Sequence, residues 1–279
     1  MSEGLLVSTD WLETHLSAPD VVVVDASWYL PTENRDPHAE YLERHIPGAV
    51  FFDIDKIADT KSDLPHMLPR PEAFSSAMRK MGIGDGQRIV VYDGAGMFSA
   101  PRVWWTFRTM GATDVAVLDG GLPRWINENR ALEDGEIRRP ERHFTARLDH
   151  GAVRDLNDVR RVLQTGSAQV IDARSPERFR GEAPEPRPGL RSGRMPGSLN
   201  VPVVDLFDNG TMKDVGALKA TFDAAGLDLS KPVVTTCGSG VTASGLALAL
   251  ALIGHRKVSV YDGSWSEWGG REDVPVETG

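Results

Sequence analysis

Short apolar, β-branched runs alternate along this chain with longer stretches whose apolar positions recur every three or four residues. The runs at Val21–Asp25 (VVVVD), 50–54, 88–93 (RIVVYD), 115–119 (VAVLD), 170–172 and Val233–Thr236 (VVTT) predict buried strands. Between them, the spacing predicts an amphipathic helix opening at Thr9 or Asp10 and a short charged helix over 35–45 that ends at Ile46-Pro47-Gly48-Ala49. A helix over 71–81 starts at Pro71 and stops at Gly82, and another over 101–110 closes at Gly111. The run 243–253 is Ala/Leu-rich on every side, so it predicts a helix buried all round. Strands that alternate with helices imply parallel α/β sheets with helices on both faces.

The second half replays the first. Val170-Ile171-Asp172-Ala173-Arg174 echoes Val24-Asp25-Ala26-Ser27, and Met195-Pro196-Gly197-Ser198 echoes Ile46-Pro47-Gly48-Ala49. Val90-Val91-Tyr92-Asp93-Gly94 matches the stretch from Val234 to Gly238, and Leu118-Asp119-Gly120-Gly121 matches Tyr261-Asp262-Gly263-Ser264. A repeat of about half the chain is too long for a solenoid unit and indicates duplication of a whole domain. The expected division is a first domain over 1–140, a charged linker over 141–155 without sustained periodicity, and a second domain over 156–279.

Composition narrows the function. With 279 residues and 41% hydrophobic content the chain can build a core in each half. Forty acidic against thirty-one basic residues, a net charge of −9, argue against a nucleic-acid or anionic-membrane partner. No run is long enough to span a bilayer, and the opening MSEGLLVSTDWLETHL lacks the marks of a signal or transit peptide. A single cysteine excludes an intrachain disulfide, and the His and Cys spacing offers neither a metal site nor a cofactor motif.

That cysteine, Cys237, falls at a strand-to-helix turn and is followed by Gly238, Ser239, Gly240, Val241 and Thr242. Helix N-termini present free N–H groups and the positive end of the macrodipole, and glycines at 238 and 240 let the backbone curl around the sulfur. The turn is expected to favour a thiolate, or a persulfide anion formed from it. The plain alternative is a buried structural cysteine. In the first half Asp93 stands at the same position, so one copy carries the nucleophile and the other supplies structure and a cleft wall. Arg178, Arg180, Arg187, Arg191 and Arg194 lie in the loop that should share a sheet edge with Cys237, and they read either as a carboxylate clamp or as solvated surface charge.

The segments from Cys237 to Ala243 and from Asp262 to Trp268 (DGSWSEW) closely resemble the two-domain rhodanese family. So do the stretches from Asp25 to Pro31, His45 to Ala49, Ser99 to Trp105, and Arg178 to Arg187. The resemblance covers essentially the whole length. It implies tandem rhodanese-like domains, the first inactive and the second catalytic, with a cysteine that accepts sulfane sulfur and passes it on without metal or organic cofactor. Thiosulfate-type members usually have basic residues just after the cysteine, whereas this chain has Gly238 and Ser239, which fits a monoanionic keto acid such as 3-mercaptopyruvate.

On that resemblance Arg178 and Arg187 hold the substrate carboxylate, with Gly238, Gly240, Val241 and Thr242 lining the substrate site. Ser239 assists as a catalytic hydroxyl, and His45 with Asp36 is a candidate proton relay, the alternative for His45 being a structural histidine beside a turn. Pyruvate would leave, and the Cys237 persulfide would pass its sulfur to cyanide or to a thiol such as thioredoxin. The residues leave two other functions open, a thiosulfate:cyanide sulfurtransferase and a persulfide carrier or redox-sensing module. A reducing cytoplasm suits the free thiol.

Overall fold

The computed structural model describes residues 4–279. The first half contains β1 (Leu6–Val7), α1 (Thr9–His15), β2 (Val21–Asp25), α2 (Pro37–Glu43), β3 (Val50–Phe51), α3 (Pro71–Lys80), β4 (Arg88–Tyr92), α4 (Ala100–Thr109), β5 (Val115–Leu118) and α5 (Gly121–Asn127). Its five strands form a parallel sheet in the order β1-β5-β4-β2-β3. The second half contains β6 (Val153–Arg154), α6 (Leu156–Thr165), β7 (Gln169–Asp172), α7 (Pro176–Arg180), β8 (Leu199–Asn200) and a small antiparallel hairpin of β9 (Phe207–Asp208) and β10 (Thr211–Met212). It continues through α8 (Val215–Ala224), β11 (Val233–Thr236), α9 (Ala243–Leu252), β12 (Val258–Tyr261) and α10 (Ser264–Trp268). Its parallel sheet runs β6-β12-β11-β7-β8, the same order strand for strand. Among the described residues no helix is long and apolar enough to cross a membrane.

Central strands of a parallel sheet are covered on both faces, which is why β2 and β11 read as unbroken apolar or β-branched runs and are buried along their whole length. Registers put Val234 between Val170 and Ser259, so the C-terminal end of β11 delivers Cys237 to the middle of its sheet edge. Helix α9 is apolar all round because it has no wet face: one side lies on its own sheet, and the other packs against α4 of the first half. Replacing a fully buried leucine of that helix such as Leu248 by alanine should cost about 2–5 kcal/mol.

The chain between α5 and β6 runs extended over the first half. Phe144 inserts between Phe74 and Phe107, with ring centroids 5.6 and 6.4 Å away, while Arg147 N–H donates to the Met110 carbonyl at 2.8 Å. The 141–155 segment thus packs on the first half for most of its length, and its end, β6, already belongs to the second sheet.

Candidate active site

Cys237 leaves β11 with its side chain 2% exposed and its Sγ accepting the Gly240 N–H at 3.1 Å. The loop is shaped from behind by the first turn of α10. Trp265 N–H donates to the Cys237 carbonyl at 2.9 Å, and Ser266 donates its N–H and hydroxyl to the Gly238 carbonyl. With these carbonyls held from behind, the loop is fixed in the curl that brings the Gly240 amide onto the sulfur. Gly240 completes the curl at φ +82°, a torsion that side-chain-bearing residues rarely adopt. Among the described residues the N–H groups of Gly238, Ser239, Val241 and Thr242 find no acceptor. Ser239 and Val241 are buried in the same loop, and Thr242 caps α9.

The first half shows what such a cradle holds. After β4, Asp93 turns its carboxylate into the equivalent loop and accepts the N–H groups of Ala95, Ser99 and Ala100 at 2.9, 2.9 and 2.7 Å. Burial pushes this carboxyl above the usual carboxylate range, and those backbone donors pull it back. One loop is filled by its own anion. Its twin surrounds a sulfur.

Of the five arginines in the 175–194 segment, the structure brings two to the cysteine. Arg178 Nη2 lies 3.2 Å from where a side chain at Gly238 would begin. Its guanidinium is held by Glu185 at 2.5 Å, and Glu185, 1% exposed, is gripped in turn by Arg174 at 2.8 Å. Arg174 is stacked 4.1 Å over Trp265 and paired with Asp172. Arg187 is half-buried, and the loss of hydration lowers its pKa from the ordinary value while the Cys237 charge opposes that shift. It makes no ion pair among the described residues, and its contact is with His66. The other three are structural: Arg180 pairs with Glu182, Arg191 binds the carbonyls of Trp268, Gly269 and Val274, and Arg194 pairs with Glu277 near the chain end.

The expected relay through His45 and Asp36 is corrected by the structure. His45 is fully enclosed, stacked on Tyr41 at 4.3 Å, with Nδ1 bonded to the Tyr41 carbonyl at 2.8 Å and Nε2 4.0 Å from Glu133. Asp36 caps α2, accepting the N–H groups of His38 and Ala39 at 3.0 Å. A short helix needs that cap, and the turn after it needs the histidine as a spacer.

A different histidine of the first half reaches the cleft. His66 Nε2 faces Arg187 Nη2 at 3.3 Å, and its Nδ1 lies 2.9 Å from Asp55 Oδ1, off the line of an ideal hydrogen bond. An arginine can only donate, so Nε2 bears the lone pair and Nδ1 the proton. Asp55 is fixed by Trp28 Nε1 at 3.0 Å, and the bond to His66 leads the effects that lower its pKa. The turn around His66 is bound to the second half. Arg102, 2% exposed, donates to the His66 carbonyl, reaches the Gly240 carbonyl at 3.5 Å, and pairs with Asp262 at 2.7 Å. Asp262 accepts the Leu68 N–H at 2.8 Å. The site therefore combines a buried sulfur with an amide on it, one unpaired and one paired guanidinium, and an imidazole held between Arg187 and Asp55.

The Rhodanese-like domain family matches this chain twice, over residues 8–128 and 155–271. The 3-mercaptopyruvate sulfurtransferase of Escherichia coli (strain K12) is 46% identical over 278 residues, 99% of this chain and 99% of its own. The thiosulfate/3-mercaptopyruvate sulfurtransferase 1, mitochondrial, of Arabidopsis thaliana is 43% identical over 295 residues, 98% of this chain and 78% of its own. Among solved structures, the crystal structure of SseA from Escherichia coli, described with a "Rhodanese" fold and the catalytic mechanism of 3-mercaptopyruvate sulfotransferases, superposes with a TM-score of 0.87. The two are 43% identical, over 94% of this chain and 98% of that one.

Proposed function

The chain belongs to the rhodanese family, and from that premise we propose that it is a 3-mercaptopyruvate sulfurtransferase whose Cys237 becomes a persulfide in each cycle. The observation that carries this reading is the placement of Cys237 Sγ in an amide-lined loop beside the unpaired guanidinium of Arg187. The loop suits an anionic sulfur, and Arg187 with Arg178 suits a carboxylate.

In the first half-reaction the Cys237 thiolate attacks the thiol sulfur of the donor. A sulfur–sulfur bond forms, the carbon–sulfur bond breaks, and its electron pair passes to the enolate of pyruvate. The proton that the donor thiol loses, as its sulfur becomes the anionic outer sulfur of the persulfide, balances the one taken up as the enolate becomes the methyl group. The His66 imidazole, its proton held toward Asp55, is the group placed to carry it, with the Ser239 hydroxyl inside the loop. The persulfide then sits among the loop N–H groups until a thiol such as reduced thioredoxin, or cyanide, attacks the outer sulfur and restores the thiolate. A reducing compartment keeps the thiol available between turnovers.

Pyruvate release from 3-mercaptopyruvate, with cyanide or a dithiol as acceptor, tests the reading. Wild-type protein should turn over and should gain one sulfur atom by mass spectrometry when given donor alone, whereas Cys237→Ser should do neither. Turnover that survives Cys237→Ser ends the proposal. A second donor is favoured by the Arabidopsis thaliana relative, named for both thiosulfate and 3-mercaptopyruvate. Both donors compared on one preparation rank them.

A further inference from the structure

The first half lacks a nucleophile, yet it places one side chain against three elements of the cleft at once. Arg102 projects from the first turn of α4 across the packed pair of α4 and α9 and is almost completely shielded from water. Its fork meets the Gly240 carbonyl at the back of the sulfur loop, the His66 carbonyl, and the Asp262 carboxylate, and it lies over Trp105 at 4.6 Å. At the matching place in the second half, the first turn of α9, stands Gly245, which approaches Val203 closely and contributes no such link. The duplication is asymmetric at this point.

Asp262 closes the other side of the arrangement, with Oδ1 in a charge contact 2.7 Å from Arg102 Nη2, off the line of a hydrogen bond, and Oδ2 accepting the Leu68 N–H. The turn from His66 to Leu68 is therefore held at its carbonyl by the cation and at its amide by the anion of a single buried pair. That turn needs holding, because His66 sits at φ +61°, a left-handed torsion that a non-glycine residue keeps only where its surroundings impose it. Gly240 is cut to fit the same guanidinium: a side chain there would begin 2.8 Å from Arg102 Nη1. The clamp thus fixes the base, His66, and the sulfur loop relative to each other, although they belong to different halves.

We propose that Arg102 and Asp262 form an interdomain positioning clamp that sets the distance between His66 and the Cys237 loop, so that the half without the nucleophile governs the chemical step. The clamp touches neither the donor carboxylate nor the arginines that face it, so its removal acts on kcat and leaves KM nearly intact. This inference rests on the sulfur-transfer reading above.

The test compares wild type with Arg102→Gln, Arg102→Lys, Asp262→Asn and the double variant Arg102→Gln/Asp262→Asn in full-length protein. Single-turnover pyruvate release is followed at saturating 3-mercaptopyruvate, and KM is measured in steady state. Arg102→Gln should slow pyruvate release by about tenfold to a hundredfold, the scale on which misplaced catalytic groups act, with KM within about twofold of wild type. Arg102→Lys, which keeps the pair to Asp262 but lacks the fork, should recover part of the rate. The double variant leaves no unmatched buried charge and so folds where a single variant does not, and its rate should fall no further than that of Arg102→Gln, because the pair acts as one unit. Wild-type kcat in Arg102→Gln or in the double variant overturns the inference while leaving sulfur transfer in place. A rise in KM that matches the loss in kcat/KM also overturns it. A wild-type protein that releases no pyruvate refutes the sulfur-transfer reading and the clamp with it.

Discussion

Arg187→Ala is the sharpest probe of what the cleft recognises. Arg187 is the guanidinium near Cys237 without a carboxylate partner among the described residues, whereas Arg178 shares its charge with Glu185. A hydrogen bond to a charged group contributes about 1.5–3 kcal/mol, and a guanidinium fork can make two to one carboxylate. Arg187 is only half-buried and Arg178 remains in the variant, so the loss should be nearer to one such bond, about 2–3 kcal/mol. At 1.4 kcal/mol per factor of ten this lowers kcat/KM for 3-mercaptopyruvate about 30- to 150-fold. The contact is the same before and during cleavage of the carbon–sulfur bond, so the change should lie in KM. Thiosulfate, a dianion, has no carboxylate for the fork and should lose only the charge attraction, about 2 kcal/mol at 4 Å in water and about 1.3 kcal/mol once physiological salt screens it, or roughly eightfold. Steady-state pyruvate and thiocyanate assays on the same preparations give both ratios. Equal losses with the two donors, or a loss confined to kcat, would refute the assignment of Arg187 to carboxylate recognition.

Other outcomes follow from the same geometry. His66→Asn should lower kcat by about a hundredfold, whereas His45→Asn should leave kcat unchanged and cost about 1–3 kcal/mol of stability, read from urea unfolding. Gly240→Ala meets both the φ +82° torsion and Arg102 Nη1, so the strain should cost about 1–3 kcal/mol and activity should fall with the melting temperature. Asp25 is buried at the end of β2, and burial raises its pKa from 3.8 to about 6. The stability it contributes is complete below pH 4 and is lost as pH rises through 6. Asp25→Asn keeps the acceptor for the Ser27 N–H and should flatten the fall in unfolding free energy between pH 4 and 7, by about 1–3 kcal/mol. Parallel pH profiles for wild type and variant would contradict that account.

The central strands, the long helices and the repeat were legible because each is written locally. VVVVD and VVTT can be little else than strands covered on both sides, and the all-apolar 243–253 run foretold a helix with no wet face. Strands β1 and β6 were not visible, since two residues carry no period and owe their extended form to pairing with β5 and β12. In the site, Cys237 stood out through its glycines, and Arg178 and Arg187 through the clustering of cations. The histidine was misplaced for a physical reason. His45 lies in a recognisable turn, while His66 lies in an aperiodic LPHMLP stretch whose orientation is decided by Arg102 and Asp262, far away in sequence. The one hint was a histidine between two prolines. Arg102 sat within a conspicuous SAPRVWW motif, but nothing in that motif says that its guanidinium crosses to the other half.

The crossing by Arg102 has a consequence for how the molecule can be divided. A fragment ending before Val153 keeps Asp55, His66 and Arg102, and a fragment beginning there keeps Cys237, Arg178, Arg187 and Asp262. Each would own a complete five-stranded sheet and a fold, and neither would own all the residues proposed for sulfur transfer. Mixed in trans, the two would regain turnover only as fast as the buried Arg102–Asp262 pair re-forms across the seam, so complementation would read out the docking of the halves. The smallest unit of chemistry in this chain is larger than its smallest unit of folding.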